Sequence, residues 1–142
     1  MKVSKVQNLL AAAMLASFCG AAVAGDVTVN VSGVPSAEGN VAVRITHEDN
    51  FDSFPSDDYE EEIIVPSNTD GVTVTFKGLE AGIYAVAFYH DANGNKALDM
   101  NMLGIPQEPV DNSGKKAMMK PDFWDSSFDV TDEDMTLEVS FR

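Results

Sequence analysis

Beyond residue 26 the chain alternates, and this alternation decides what it can fold into. Val27, Val29 and Val31 fall on one side of an extended segment, with Thr28 and Asn30 on the other. Val41, Val43 and Ile45 repeat the pattern against Arg44 and Thr46. So do Val72, Val74 and Phe76 against Thr73 and Thr75, and Leu137, Val139 and Phe141 against Thr136, Glu138 and Ser140. Successive side chains of a strand point to opposite faces, so a period of two marks half-buried strands. Ile63-Ile64-Val65 and the pair Phe128 and Val130 are shorter apolar runs. The segment from Ile83 to Tyr89 is apolar or aromatic almost throughout, which predicts a central strand covered on both faces. Turn-forming residues at 36–40, 66–71 and 80–82 separate these runs. About seven short strands, with no capped amphipathic helix, predict an all-β domain: an antiparallel β-sandwich of immunoglobulin-like or transthyretin-like layout.

The first 24 residues follow another rule. Lys2 and Lys5 precede an apolar stretch from Leu9 to Phe18, and Ala22-Val23-Ala24 is a small-x-small cleavage site. This is the pattern of a secretory signal peptide, and the apolar stretch is short for a membrane span. Cys19 raises lipid attachment as an alternative, which bulky Phe18 before it disfavours. The expected product is a periplasmic or secreted single domain, residues 25–142, with no membrane span after cleavage. Removing residues 1–24 takes away two lysines and no acid, so the net charge moves from −14 to −16. Such an acidic protein is repelled by nucleic acid and by anionic membrane surfaces. Cys19 is the one cysteine of the whole chain, so neither a disulfide nor a multi-cysteine zinc site can form within it.

Two long segments do not alternate. Residues 48–62 carry Glu48, Asp49, Asp52, Asp57, Asp58, Glu60, Glu61 and Glu62 with no lysine or arginine. Charge blocks face solvent, so this segment is expected to be mobile and dispensable for folding, its aromatics Phe51, Phe54 and Tyr59 pinning it to the sandwich. A docking surface for a cationic partner is the functional alternative. Residues 92–127 are far longer than an ordinary connection.

The second segment opens on the best motif of the chain. Oxygen-bearing side chains recur at Asp91, Asn93, Asn95, Asp99 and Asn101. Calcium takes six to eight oxygens, and alternate positions of a curled loop can share one centre. Aligned as an EF-hand-type loop, Asp91, Asn93, Asn95 and Asp99 occupy positions 1, 3, 5 and 9, and Ala97 offers its backbone carbonyl at position 7. Lys96 stands where that loop requires glycine, and Met102 where it has a bidentate glutamate. Glu108 is the nearest downstream carboxylate that would close the site. Two loop carboxylates predict weak binding, in the range of extracellular modules, about 10⁻⁴–10⁻³ M. The competing account is a turn-rich loop whose Asx side chains bond their own backbone.

Gly78-Leu79-Glu80-Ala81-Gly82-Ile83-Tyr84-Ala85-Val86 is followed in order by the Asp/Asn block from His90 and by Gly104-Ile105-Pro106-x-Glu108. This succession resembles the bacterial secreted family catalogued as domain of unknown function 2141, over nearly the whole chain from Val27 to Phe141. The resemblance implies an exported β-sandwich and brings no established activity. The chain departs from the family pattern at Lys96, where glycine is common. It also has Val110-Asp111-Asn112-Ser113 where an aromatic-Ser-Asn stretch is usual. The Asp/Asn block before Gly-Ile-Pro is also similar to calcium loops of bacterial surface B-type repeats.

A small metal carrier or enzyme is the alternative function. His47 and His90 both end expected strands, and would bind a transition metal if they met at one end of the sandwich. Met100, Met102, Met118 and Met119 suit copper, although methionine more often fills apolar gaps. His90 with Asp99 or Glu108 can be drawn as an acid–base pair, but no nucleophile elbow, triad signature or phosphate loop accompanies it. Phe123-Trp124 is expected to anchor the long segment to a sheet. The sequence names no protein or small-molecule partner.

Overall fold

A computed structural model describes residues 24–55, 58–115 and 120–142. Eight strands are found among them, in two sheets. In the first, β1 (Ala24–Ser32) lies between β4 (Val72–Glu80) and β8 (Met135–Ser140). The second runs β3 (Glu61–Pro66), β2 (Asn40–His47), β5 (Gly82–Asp91). The far edge of β5 is shared end to end by β7 (Ser127–Val130), paired to residues 82–85, and β6 (Val110–Asn112), paired to residues 87–89.

The all-β expectation holds, with two corrections. β1 and β8 pair parallel, from Val27↔Met135 to Ser32↔Ser140, so the fold is not wholly antiparallel. Alternation fixes which face a residue occupies and carries no information on strand direction. β6 is the additional strand, inside the segment read as one long connection. Three residues are too few to show a period. A single helical turn, α1 (Phe123–Ser126), also lies in that segment, capped by Asp122 accepting from Trp124 and Asp125 amides.

One core joins the two sheets. Val27, Val29 and Val31 of β1, Val74 and Phe76 of β4, Val41, Val43 and Ile45 of β2, and Val86 and Phe88 of β5 are buried in a single cluster. Each such side chain contributes about 1.5–3 kcal/mol by leaving water. β5 is buried from Tyr84 to Asp91, which agrees with a strand covered on both faces. On its outer face Ala85 and Ala87 are small enough to admit two rings, Phe54 and Phe123, which meet edge to face at 5.9 Å. Phe123 is therefore the expected anchor, while its neighbour Trp124 stays half exposed.

Phe54 is the expected aromatic pin of residues 48–62, and it is seated more deeply than a surface loop requires. Glu48–Ser53 form a kinked 3₁₀ turn, and Phe54, following it, is 1% exposed. Glu61 and Glu62 already belong to β3, and Glu62 pairs with Arg44 of the neighbouring strand. The segment carries part of the apolar interior.

At the end of the chain, Arg142 binds Asp111 of β6 through its backbone amide at 3.0 Å and through Nη2 at 2.6 Å. This charge-assisted clasp ties the end of the first sheet to the edge of the second. The expected leader lies outside the described residues, apart from Ala24, which begins β1.

Candidate functional site

The Asp/Asn segment grows out of the end of β5, and β5 decides where it points. Residues alternate along the strand, so Tyr84, Val86 and Phe88 face the core, while Tyr89 and Asp91 share the outer face with Ala85 and Ala87. The turn before β2 forms the floor beneath the strand end. His90 Nε2 lies 2.9 Å from the Glu38 carbonyl, and Asn40 Nδ2 donates to Asp91 Oδ2 at 3.4 Å. Gly39 has φ +68°, and a Cβ there would sit 1.9 Å from the Asp91 carbonyl oxygen. Only glycine permits that approach.

Asp91 is 0% exposed, and both of its carboxylate oxygens accept hydrogen bonds. Oδ1 accepts the amide of Asn95 at 3.1 Å and Oδ2 that of Lys96 at 2.8 Å. A buried carboxylate must be compensated in this way, since leaving water unpaired costs several kcal/mol. The loop then curls by short-range bonds: Asn93 Oδ1 accepts from Asn95 N, and Asn95 Oδ1 from Ala97 N, each at 2.9 Å. Lys96 adopts φ +62°, the left-handed conformation for which an EF-hand-type loop uses glycine. The backbone thus makes the turn despite the side chain.

The Asp99 carboxylate is the second focus. Asn93 Nδ2 reaches Oδ2 at 2.6 Å, and Asn95 Nδ2 reaches Oδ1 and Oδ2 at 2.9 and 3.1 Å. Two amide groups thereby direct positive partial charge at one carboxylate. Glu108 comes back to the same place: Oε2 accepts Asp99 N at 3.2 Å, and Gln107 N donates to the Asp99 carbonyl at 2.8 Å. Glu108 Oε1 is buried with no hydrogen-bond partner among the described residues.

Asp91, Asn93, Asn95, Asp99 and Glu108 are thus joined in one connected network. Ala97 is in it through its amide, which donates to Asn95 Oδ1. Asn101 lies apart, its Oδ1 accepting from Leu103 and Ile105 amides within the next turn. Among the described residues no group of three or more His, Cys, Asp or Glu side chains converges to hold a metal, so the oxygens here are carboxylates mixed with amides.

The histidine pair is corrected. Val41 pairs with His90 and His47 with Tyr84, which puts the two histidines at opposite ends of the β2–β5 ladder, roughly 20 Å apart at about 3.3 Å per residue. His90 is 2% exposed, and its Nε2 is occupied by the Glu38 contact. Met100 and Met102 are exposed, and Met118 and Met119 lie outside the described residues.

Sequence reasoning missed Gly39, Asn40 and Tyr89. Gly39 closes a distant turn and Asn40 opens β2, and only the β2–β5 pairing brings them to Asp91. Tyr89 is 2% exposed with an unpartnered hydroxyl, its ring 5.1 Å from the Arg44 guanidinium. Burial pushes its pKa up to about 12, helped by Glu62, Asp91 and Glu108 and opposed by Arg44. The Tyr89 hydroxyl and Glu108 Oε1 are therefore two unpartnered polar atoms in one neighbourhood.

The molecule is, in class, a two-sheet all-β domain with an oxygen-rich arm built on the end of its central strand. It belongs to a family of uncharacterized proteins conserved in bacteria, domain of unknown function 2141, whose pattern it matches over residues 29–138. No curated protein and no solved structure matches the chain.

Proposed function

We propose that the chain is an exported binding or accessory module, a β-sandwich of immunoglobulin-like or transthyretin-like kind, whose Asp91–Glu108 arm takes a weakly bound calcium ion. The observation that carries this reading is Glu108 Oε1, a buried carboxylate oxygen without a partner beside Asp99. A dication there would supply the missing partner and relieve the repulsion among Asp91, Asp99 and Glu108. The donor set is oxygen throughout, which suits calcium and not a soft metal. Asp91, Asn93, Asn95, Asp99 and Glu108 would hold the ion, with the Ala97 carbonyl completing the shell. Asn101 would act only by bracing the next turn. The leader pattern of residues 1–24 supports a periplasmic or secreted location. Intact mass of the exported protein should correspond to residues 25–142.

Thermal melting in chelator and in calcium tests the ion site. At ten times its dissociation constant, calcium adds about 1.4 kcal/mol, a shift of a few degrees for a domain of this size. Magnesium, which resists losing its water, should do less. Glu108→Gln and Asp99→Asn should shrink the calcium shift, while Asp52→Ala should leave it intact. Identical melting curves in chelator and millimolar calcium would make the Asx-turn account sufficient.

A further inference from the structure

The crown of the arm inverts the usual arrangement of a loop. Residues 100–107 contain no charged side chain, in a chain with 23 acids and 9 bases. Met102 and Leu103 are 103% and 82% exposed, and Met100 and Ile105 about half exposed. Beneath these side chains the backbone closes in part on itself, the amides of Asn101, Leu103, Gly104 and Ile105 finding acceptors within the turn. Leu103 and Ile105 amides both donate to Asn101 Oδ1 at 2.9 and 3.0 Å. Gly104 N donates to the Asn101 carbonyl, and Asn101 N to the Ile105 carbonyl, each at 2.9 Å. Met100 pairs with Pro106, which has no amide hydrogen to satisfy.

A loop destined for water does not need its amides bonded internally. A loop entering an apolar medium does, since an unpaired amide there costs several kcal/mol. We propose that this crown is a lipid-docking tip, which places Met102, Leu103 and Ile105 in the headgroup–acyl boundary of a bilayer. A protein groove is the poorer fit. Four aliphatic side chains on one turn present on the order of 400 Å², against about 800 Å² per partner in a standard interface, and they include no aromatic or arginine anchor. A bilayer boundary asks only for apolar side chains, few open amides and an uncharged crown. Strength should not exceed that of one myristoyl chain, about 10⁴ M⁻¹, so the contact is reversible. The acidic body should make neutral lipid the better target at low salt. None of this depends on the calcium reading.

The test is vesicle co-sedimentation of the exported protein in chelator. With phosphatidylcholine vesicles, up to about half should be bound near 0.1 mM lipid, and less when phosphatidylglycerol is added. Leu103→Asp and Met102→Asp should each lower the partition coefficient at least tenfold without moving the melting curve. Phe51→Asp, at an exposed aromatic elsewhere, should not lower it. A polarity-sensitive dye on Leu103→Cys, the one thiol of residues 25–142, should shift to the blue with vesicles. Equal partition of the parent and Leu103→Asp, or a dye emission that stays water-like while the protein is vesicle-bound, would overturn the proposal.

Discussion

The acidic segment after β2 and the arm after β5 are built in opposite senses. Around residues 48–60 an apolar side chain holds the chain to the domain, Phe54 against Phe123 over Ala85 and Ala87, while Asp49, Asp52, Asp58 and Glu60 face water. In residues 91–105 polar side chains hold the chain, Asp91, Asn93, Asn95 and Asn101 each accepting backbone amides, while Met102 and Leu103 face water. Composition describes the first as polar and the second as mixed. What organises each is the minority of groups turned inward, one ring in the first and a few carboxylate and amide oxygens in the second.

The largest expected effect tests the apolar pin. Phe54→Ala should lower stability by about 3–5 kcal/mol in urea unfolding, since it empties a ring-sized site that the sheet cannot collapse into. A loss below about 1 kcal/mol would return the whole segment to the class of dispensable loops and break the contrast.

The polar counterpart comes next. Asp91→Ala should cost about 2–3 kcal/mol, because the Asn95 and Lys96 amides lose a charged acceptor. Hydrogen exchange at Asn95 and Lys96 should accelerate with it. Asp52→Ala, an exposed acid of the first segment, should stay within about 0.5 kcal/mol. Equal costs for the two aspartates would mean that Asp91 organises nothing.

Lys96→Gly should stabilise by roughly 0.5 kcal/mol, the left-handed strain of a Cβ less the extra freedom of glycine in the unfolded chain. Its measured sign sharpens the picture of an arm held by side chains against a local backbone preference.

An effect confined to alkaline pH concerns Tyr89, where the two regions approach each other. The Arg44 guanidinium stacks on Tyr59 of the first segment at 4.8 Å and on Tyr89 at 5.1 Å, and Tyr89 feels Glu62, Asp91 and Glu108. Its pKa is raised from 10.0 to about 12 by burial first of all. Folding therefore favours the neutral phenol. The stability linked to this group is complete below pH 10 and is lost as pH rises from 10 through about 12. Absorbance titration should show this phenol ionising near pH 12, and Tyr89→Phe should remove that step and flatten the alkaline loss of stability.

Much of this protein is written in short-range pattern. The inward residues of β1, β2, β4 and β8 follow from a period of two, and the burial of β5 on both faces from its unbroken apolar run. The oxygen-rich composition of the arm, with Asp91 first and Glu108 last, was also legible, because Asx spacing is a local property. Other features needed the folded chain. Strand direction in β1–β8, the seat of Phe54 over Ala85 and Ala87, the separation of His47 from His90, and the floor that Gly39 and Asn40 lay under Asp91 all join residues distant in sequence. A periodic pattern states which side of an element is apolar, since that depends only on the geometry of successive Cα–Cβ bonds. Which two elements then meet depends on register and on the shared burial of surfaces that no single segment contains.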